Sequence, residues 1–168
     1  MISSKLKNLK WLIVSAVIIL FDQIIKLLIS KQFILYEEHP LLPFLNLTFK
    51  HNQGAAFGFL ANAGGWQQVF FCGIAIVMSV ILTLWLCNLQ KNQRWTAFAI
   101  ALIIGGALGN LIDRLTLGYV VDYIDFYIKN WHFATFNLAD SAISVGAAML
   151  ILEALFSHRK VTNENNTR

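Results

Sequence analysis

The stretch VFFCGIAIVMSVILTLWLC, from Val69 to Cys87, carries no charged side chain. A helix needs about 20 apolar residues to cross the ~30 Å of bilayer hydrocarbon, and this stretch supplies them without interruption. Three more segments read the same way once it is recognised: Trp11 to Ile29, Trp95 to Ile112 and Leu138 to Phe156. Each is broken by a few polar residues: Asp22 and Lys26 in the first, Asn110 late in the third, Asp140 early in the fourth. The whole chain agrees. Its 168 residues are 57% hydrophobic and only 13% charged, about half the charge of a soluble domain. Its 13 Phe and 5 Trp exclude disorder. Thirteen Lys and Arg, spread thinly, make no basic face, so nucleic acid is not a partner. The expected fold is membrane all-α: four transmembrane helices in one domain over residues 1–160, with a polar, disordered tail at 161–168.

Basic residues in short loops orient the spans. Lys5, Lys7 and Lys10 precede the first, Lys91 and Arg94 join the second to the third, and Arg159, Lys160 and Arg168 follow the fourth. These eight face only Glu153 and Glu164 on their side; the other side has five basic residues against seven acids. Both termini are therefore expected in the cytoplasm. The apolar run after the N-terminal lysines lacks a small-x-small cleavage pattern and is long enough to span, so it reads as an uncleaved helix. Cys72 and Cys87 lie on one helix about 22 Å apart by its rise and cannot bridge each other.

Two outer segments are too long for simple turns. The first, Ser30 to Gly65, contains both prolines, Pro40 and Pro43, which exclude a continuous helix. Leu45, Leu47 and Phe49 alternate with Asn46, Thr48 and Lys50, the period of a strand. His51 to Gly54 reads as a turn and Ala55 to Leu60 as a returning strand, giving a small outer-surface β-sheet. The second, Asp113 to Asn137, is rich in aromatics and reads as an interfacial loop or helix at the headgroup level.

All five aspartates, Asp22, Asp113, Asp122, Asp125 and Asp140, fall in or beside the outer leaflet. An acid in a membrane costs about 3 kcal/mol or more and marks a functional candidate. Plain structural roles compete. Asp22 and Lys26, four apart, meet on one helix face as a neutralised pair. Asp113 beside Arg114 reads as an ion pair, and Gly105-x-x-x-Gly109 as a packing surface. Asp125 reads as facing water. Asp140 follows Asn137 by one turn and has no nearby cation. A cap needs only one polar residue, so this second acid asks for another explanation. Asp122 sits among β-branched and aromatic residues. Two carboxylates brought together in a partly dry site share one proton, as in aspartic proteases. Spacing alone does not say which acids meet.

Five blocks occur in order: Asp22-Gln23-x-x-Lys26, Asn52-Gln53-Gly54-Ala55-Ala56-Phe57, Gly105 to Arg114 (GGALGNLIDR), Val121-Asp122, and Phe136 to Ala142 (FNLADSA). Together they resemble the lipoprotein signal peptidase (signal peptidase II) family over nearly the whole length. Tyr123 departs from the pattern, standing where Phe is common. The resemblance implies an intramembrane aspartyl endopeptidase of the bacterial inner membrane. Such an enzyme removes signal peptides from prolipoproteins, cutting before a cysteine that carries diacylglycerol. It further implies Asp122 and Asp140 as the catalytic dyad. Asn52, Asn110, Arg114 and Asn137 match positions that line the site or contact substrate, and Asp22 and Asp113 match supporting positions. Gly54 and Lys26 belong to the same blocks. Lipidated precursor and membrane lipid are the implied partners, and no metal or organic cofactor is implied. Two other readings compete. An ion-coupled carrier should place polar groups across the whole membrane, and a non-enzymatic scaffold leaves the same-side aspartates unexplained.

Overall fold

The structure is a computed structural model that describes residues 6–54, 60 and 63–165. A short 3-10 helix, Leu6–Trp11, leads into α1, Leu12–Gln32. Helices α2 (Trp66–Asn88), α3 (Arg94–Leu117) and α4 (Leu138–Asn165) complete the bundle. Among the described residues four helices are long and apolar enough to cross a membrane: Lys7–Gln32, Trp66–Asn88, Arg94–Leu117 and Leu138–Phe156. Each contains or closely overlaps an expected span. Helix α4 continues beyond its apolar part into the stretch expected to be disordered, as far as Asn165. No proline or glycine follows Gly146 in that helix to end its hydrogen-bond ladder.

Helix α3 is the hub, packing against α1, α2 and α4. Between helices in lipid the hydrophobic effect supplies little, and close packing of small residues does the work. Ala97, Ala99, Ala101, Gly105, Gly106 and Gly109 are all buried along α3. A Cβ on Gly106 would run into the Ala139 carbonyl and lie 2.7 Å from Ile143 Cγ1. The expected packing surface is therefore present, and it fixes where α4 begins.

Four strands form one antiparallel sheet in the order β1 (Glu38–Leu42), β2 (Leu45–Asn52), β3 (Val120–Ile128), β4 (Trp131–His132). The strand expected from the Leu45–Lys50 alternation is β2. Pro40 lies on edge strand β1, where a missing N–H is tolerated. His51 and Asn52, expected in a turn, end β2 instead. The returning strand expected at Ala55 to Leu60 falls largely outside the described residues; Leu60 itself lies in a turn. The partner of β2 comes from the second outer segment, expected as an interfacial loop or helix: β3 pairs with β2 through Asn46↔Asp125, Lys50↔Asp122 and Asn52↔Val120. Its β-branched and aromatic residues suit a pleated, half-buried surface. The sheet caps the end of the bundle where α1 and α3 finish and α4 starts. Phe49, Val121 and Tyr123 pack there on Ile29, with Ile25, Phe33 and Leu138 around them. The five aspartates all gather at this end.

Candidate active site

Asn137 starts α4 with a reciprocal cap. Its side-chain oxygen accepts the Asp140 N–H (2.9 Å), and Asp140 Oδ2 accepts the Asn137 N–H (3.3 Å). This satisfies amides that a helix N-terminus leaves free. The other end of the Asn137 side chain, Nδ2, donates to Asp122 Oδ1 at 2.8 Å. Asn52, at the end of β2, donates to the second oxygen of Asp122 at 2.9 Å. Asn110, on α3, donates to Asp140 Oδ1 at 2.7 Å. The two acids that spacing alone did not join thus flank one asparagine, each with amide donors on both oxygens.

Asp122 is only 1% exposed. Burial, then the neighbouring charge of Asp140, push its carboxyl up to about 7 against the pull of Asn52 and Asn137. Asp122 accordingly keeps its proton up to near neutral pH.

Behind the acids lies a buried ionic cluster. Lys26 Nζ contacts Asp22 (2.8 Å), Asp113 (2.9 Å) and the Asn110 oxygen (2.9 Å). The expected local pair of Asp22 with Lys26 is present, but it belongs to this larger group. Asp113 does not pair with Arg114 as expected. It is held by Lys26 and by Gln23 Nε2 at 2.9 Å. The Arg114 side chain, one helix position on, points the other way: Nη2 donates to the Gly54 carbonyl (3.1 Å) and the guanidinium covers the Phe71 ring at 5.2 Å.

A cavity of about 800 Å³ opens in front of Asp140. Its polar mouth is made by Asn52, Asn110, Arg114 and Asp140, and Ser141 and Ser144 continue along α4. Below them it is apolar, walled by Phe71, Ile74 and Met78 of α2, Ile103 and Ala107 of α3, and Ile143 and Val145 of α4. From Asn110 to Ile103 the helical rise gives a depth of about 10 Å. The segment 133–136 closes one side; Phe136 exchanges backbone hydrogen bonds with Ile124 of β3 at 2.9 and 3.0 Å.

The family model for signal peptidase (SPase) II matches residues 14–156. The chain belongs to the signal peptidase II family. It is 54% identical over 152 residues to the lipoprotein signal peptidase of Escherichia coli (strain K12), covering 90% of this chain and 93% of that one. To the lipoprotein signal peptidase of Klebsiella pneumoniae subsp. pneumoniae it is 55% identical over 146 residues, covering 87% and 88%. Two solved structures share the fold, both described as a bacterial membrane enzyme determined by the in meso method. The one at 2.3 Å resolution superposes with a TM-score of 0.81 at 32% identity, covering 89% of each chain. The one at 1.9 Å gives 0.76 at 33% identity, covering 87% of this chain and 92% of that one. As a signal peptidase II, the chain is an aspartic endopeptidase and a multi-pass membrane protein.

Several residues of this signal peptidase II went unassigned from sequence. Gln23 holds Asp113 and the Gly109 carbonyl (3.2 Å). Tyr123, the departure from the family pattern, is buried and its hydroxyl accepts the Leu138 N–H at 3.0 Å, adding a contact at the start of α4. Asp125 was expected to face water and instead is 0% exposed. It pairs across the sheet with Asn46 (3.2 Å) and contacts His132 Nδ1 (2.8 Å). Strand alternation puts Val121, Tyr123 and Asp125 on one face, and that face is buried at all three positions. The partners of Asp125 are Asn46 and His132, whereas Asp122 and Asp140 both bond to Asn137. Asp125→Ala is therefore expected to lower thermal stability by about 1–3 kcal/mol, the cost of orphaned buried partners. Cleavage by the folded fraction should stay within a few-fold of the parent, as a melting curve paired with a turnover assay will show.

Proposed function

We propose that this chain is an intramembrane aspartyl endopeptidase that removes signal peptides from diacylglyceryl-modified prolipoproteins, cutting before the lipidated cysteine, with Asp122 and Asp140 as its catalytic pair. One observation carries the reading: buried Asp122 and half-buried Asp140 share Asn137, and Asp140 lines the polar mouth of an otherwise apolar cavity. The ionised acid takes a proton from water as it attacks the scissile carbonyl. The protonated acid polarises that carbonyl and then supplies the proton to the leaving amine. Arg114 and Asn52 sit at the mouth, where their N–H groups can hold substrate carbonyls and the developing oxyanion. The apolar walls suit the acyl chains and the hydrophobic signal segment. Asp22, Lys26, Asp113 and Gly54 support the site, the last through its carbonyl on Arg114.

The reading places the protein in the bacterial inner membrane with both termini cytoplasmic and the acids near the outer leaflet. Supporting it, Lys7, Lys10, Lys91 and Arg94 lie at the bundle end away from the sheet, and basic residues favour the cytoplasmic side.

The test is cleavage of a diacylglyceryl-cysteine precursor by the full chain in detergent, against the same precursor without lipid. Cleavage immediately before the lipidated cysteine, with the unlipidated peptide resistant, is the expected result. Equal cleavage of both, or of neither, overturns the reading. In the same assay kcat/KM should fall as pH rises, with a midpoint near 7, because the proton lost there is the one lodged on Asp122 and its partner. The sign for stability follows. The folded carboxyl keeps its proton where an unfolded aspartate, titrating near ~3.9, has lost it. Asp122 thus stabilises the fold below that value, and the contribution is lost as pH climbs to about 7.

A further inference from the structure

Lys26 sits behind the catalytic pair and touches neither acid, yet its contacts lead to both. An ammonium has three N–H donors, and here three acceptors receive them: Asp22 Oδ2 at 2.8 Å, Asp113 Oδ2 at 2.9 Å and Asn110 Oδ1 at 2.9 Å. Each acceptor reaches on to the catalytic pair. Asp22 Oδ1 accepts the backbone N–H of Ala139 at 3.0 Å, the residue before Asp140. Asp113 Oδ2 accepts the backbone N–H of Val121 at 3.0 Å, the residue before Asp122. Asn110 donates to Asp140 Oδ1 at 2.7 Å, and its oxygen also accepts Asn137 Nδ2 at 3.2 Å, the amide that serves Asp122.

The third arm has an electrostatic logic of its own. An asparagine amide can turn over, exchanging its oxygen and nitrogen. With a cation on one side and a carboxylate on the other, only one orientation is favourable: oxygen to Lys26, N–H to Asp140. The reverse sets N–H groups against the ammonium and an oxygen against the carboxylate. Lys26 thus fixes the direction of the Asn110 amide, and through it the donor that Asp140 receives. All the groups involved are buried: Asp22, Lys26, Asn110, Asp113 and Asn137.

From this convergence we infer that Lys26 is a positioning residue for the reaction, a three-armed clamp that sets the main chain beside both acids and orients the amides that serve them. The inference rests on Asp122 and Asp140 being the reacting pair. A locally neutralised ion pair with Asp22 needs neither the Asp113 arm nor the Asn110 arm. The charged and titratable groups around Lys26 are Asp22 on its own helix, Asp113 on α3, Asp140 on α4 and Asp122 on β3, and its positive charge acts on Asp122.

Two full-chain variants test this in detergent with the diacylglyceryl-modified precursor: Lys26→Met, which removes the charge, and Lys26→Arg, which keeps it in another shape. Lys26→Met is expected to lower kcat by about 100-fold, the effect of reacting groups displaced by about 1 Å, with KM within about threefold. The pH–rate profile of its residual activity should move to higher pH by about one unit, because two uncompensated carboxylates then raise the proton affinity of the pair. Lys26→Arg should keep the parent's profile even where kcat falls. A Lys26→Met variant with kcat near the parent's overturns the clamp, as does a lowered kcat with an unmoved profile, the mark of a purely structural lysine. Should Lys26→Met fail to fold, Lys26→Gln takes its place under the same criteria: a lowered kcat with a profile moved to higher pH supports the inference, and a parent-like kcat or an unmoved profile overturns it. An active Lys26→Met beside inactive Asp122→Asn and Asp140→Asn removes the clamp and leaves the catalytic pair standing.

Discussion

Asp122→Asn and Asp140→Asn should each cut turnover of lipidated precursor by at least about 10³-fold, within the range general acid–base catalysis contributes. An amide of nearly the same shape neither takes a proton from water nor gives one to an amine. Both variants should fold, for reasons that differ. At position 140 the backbone N–H still caps onto Asn137, so α4 keeps its start. At position 122, Asn52 and Asn137 each donate to a different carboxylate oxygen; an asparagine there faces one of them with its own N–H group. That mismatch costs about 1–3 kcal/mol at low pH, where the parent carboxyl is neutral. As pH rises to about 7 the deficit should shrink, since the variant has no buried charge to form. Melting temperatures at pH 5 and pH 8 read this directly. Turnover within tenfold of the parent by either properly inserted variant rejects the catalytic pair.

The second large effect concerns a residue with no side chain. Gly106→Ala puts a methyl group into the Ala139 carbonyl and against Ile143 Cγ1 at 2.7 Å. The obstacle is main chain, so relief requires α4 to move away from α3. Overpacking of this kind costs about 1–3 kcal/mol. The catalytic cost should be larger, because Ala139 precedes Asp140 and its N–H is held by Asp22. A shift of about 1 Å there is expected to lower kcat by about 100-fold. Gly73 is a control: a Cβ built on it meets nothing within 4 Å. Gly73→Ala should match the parent in melting temperature and turnover. Parent-like activity in Gly106→Ala means that the two helices do not set the position of Asp140.

What could be read from the sequence was whatever the chain encodes locally. The four spans follow from composition, β2 from its alternation, and the start of α4 from Asn137 and Asp140 three apart. Contacts between distant residues were hidden. Nothing near β2 announces that its partner is β3, about seventy residues on. Lys26 shows its i,i+4 neighbour Asp22 in the sequence, but not Asp113 or Asn110, which α3 brings from across the bundle. Adjacency misled at Arg114: neighbouring helical residues point in different directions, and Asp113 and Arg114 serve opposite sides of α3. Asp125 was misread for lack of a strand assignment, since two-residue periodicity from Val121 would have placed it inside. The resemblance singled out Asp122 and Asp140, while the shared asparagine emerged only from the fold.

The apolar walls of the cavity have a kinetic consequence. Ile74, Met78 and Val145 line it and are also exposed on the outer surface of the bundle, where lipid tails lie in a membrane. A substrate anchored by acyl chains arrives by diffusion within the bilayer sheet. The quantity that saturates such an enzyme is substrate per lipid, not substrate per litre. Adding inert lipid or detergent at fixed enzyme and precursor should slow cleavage by surface dilution, while changing the water volume should leave it unaltered.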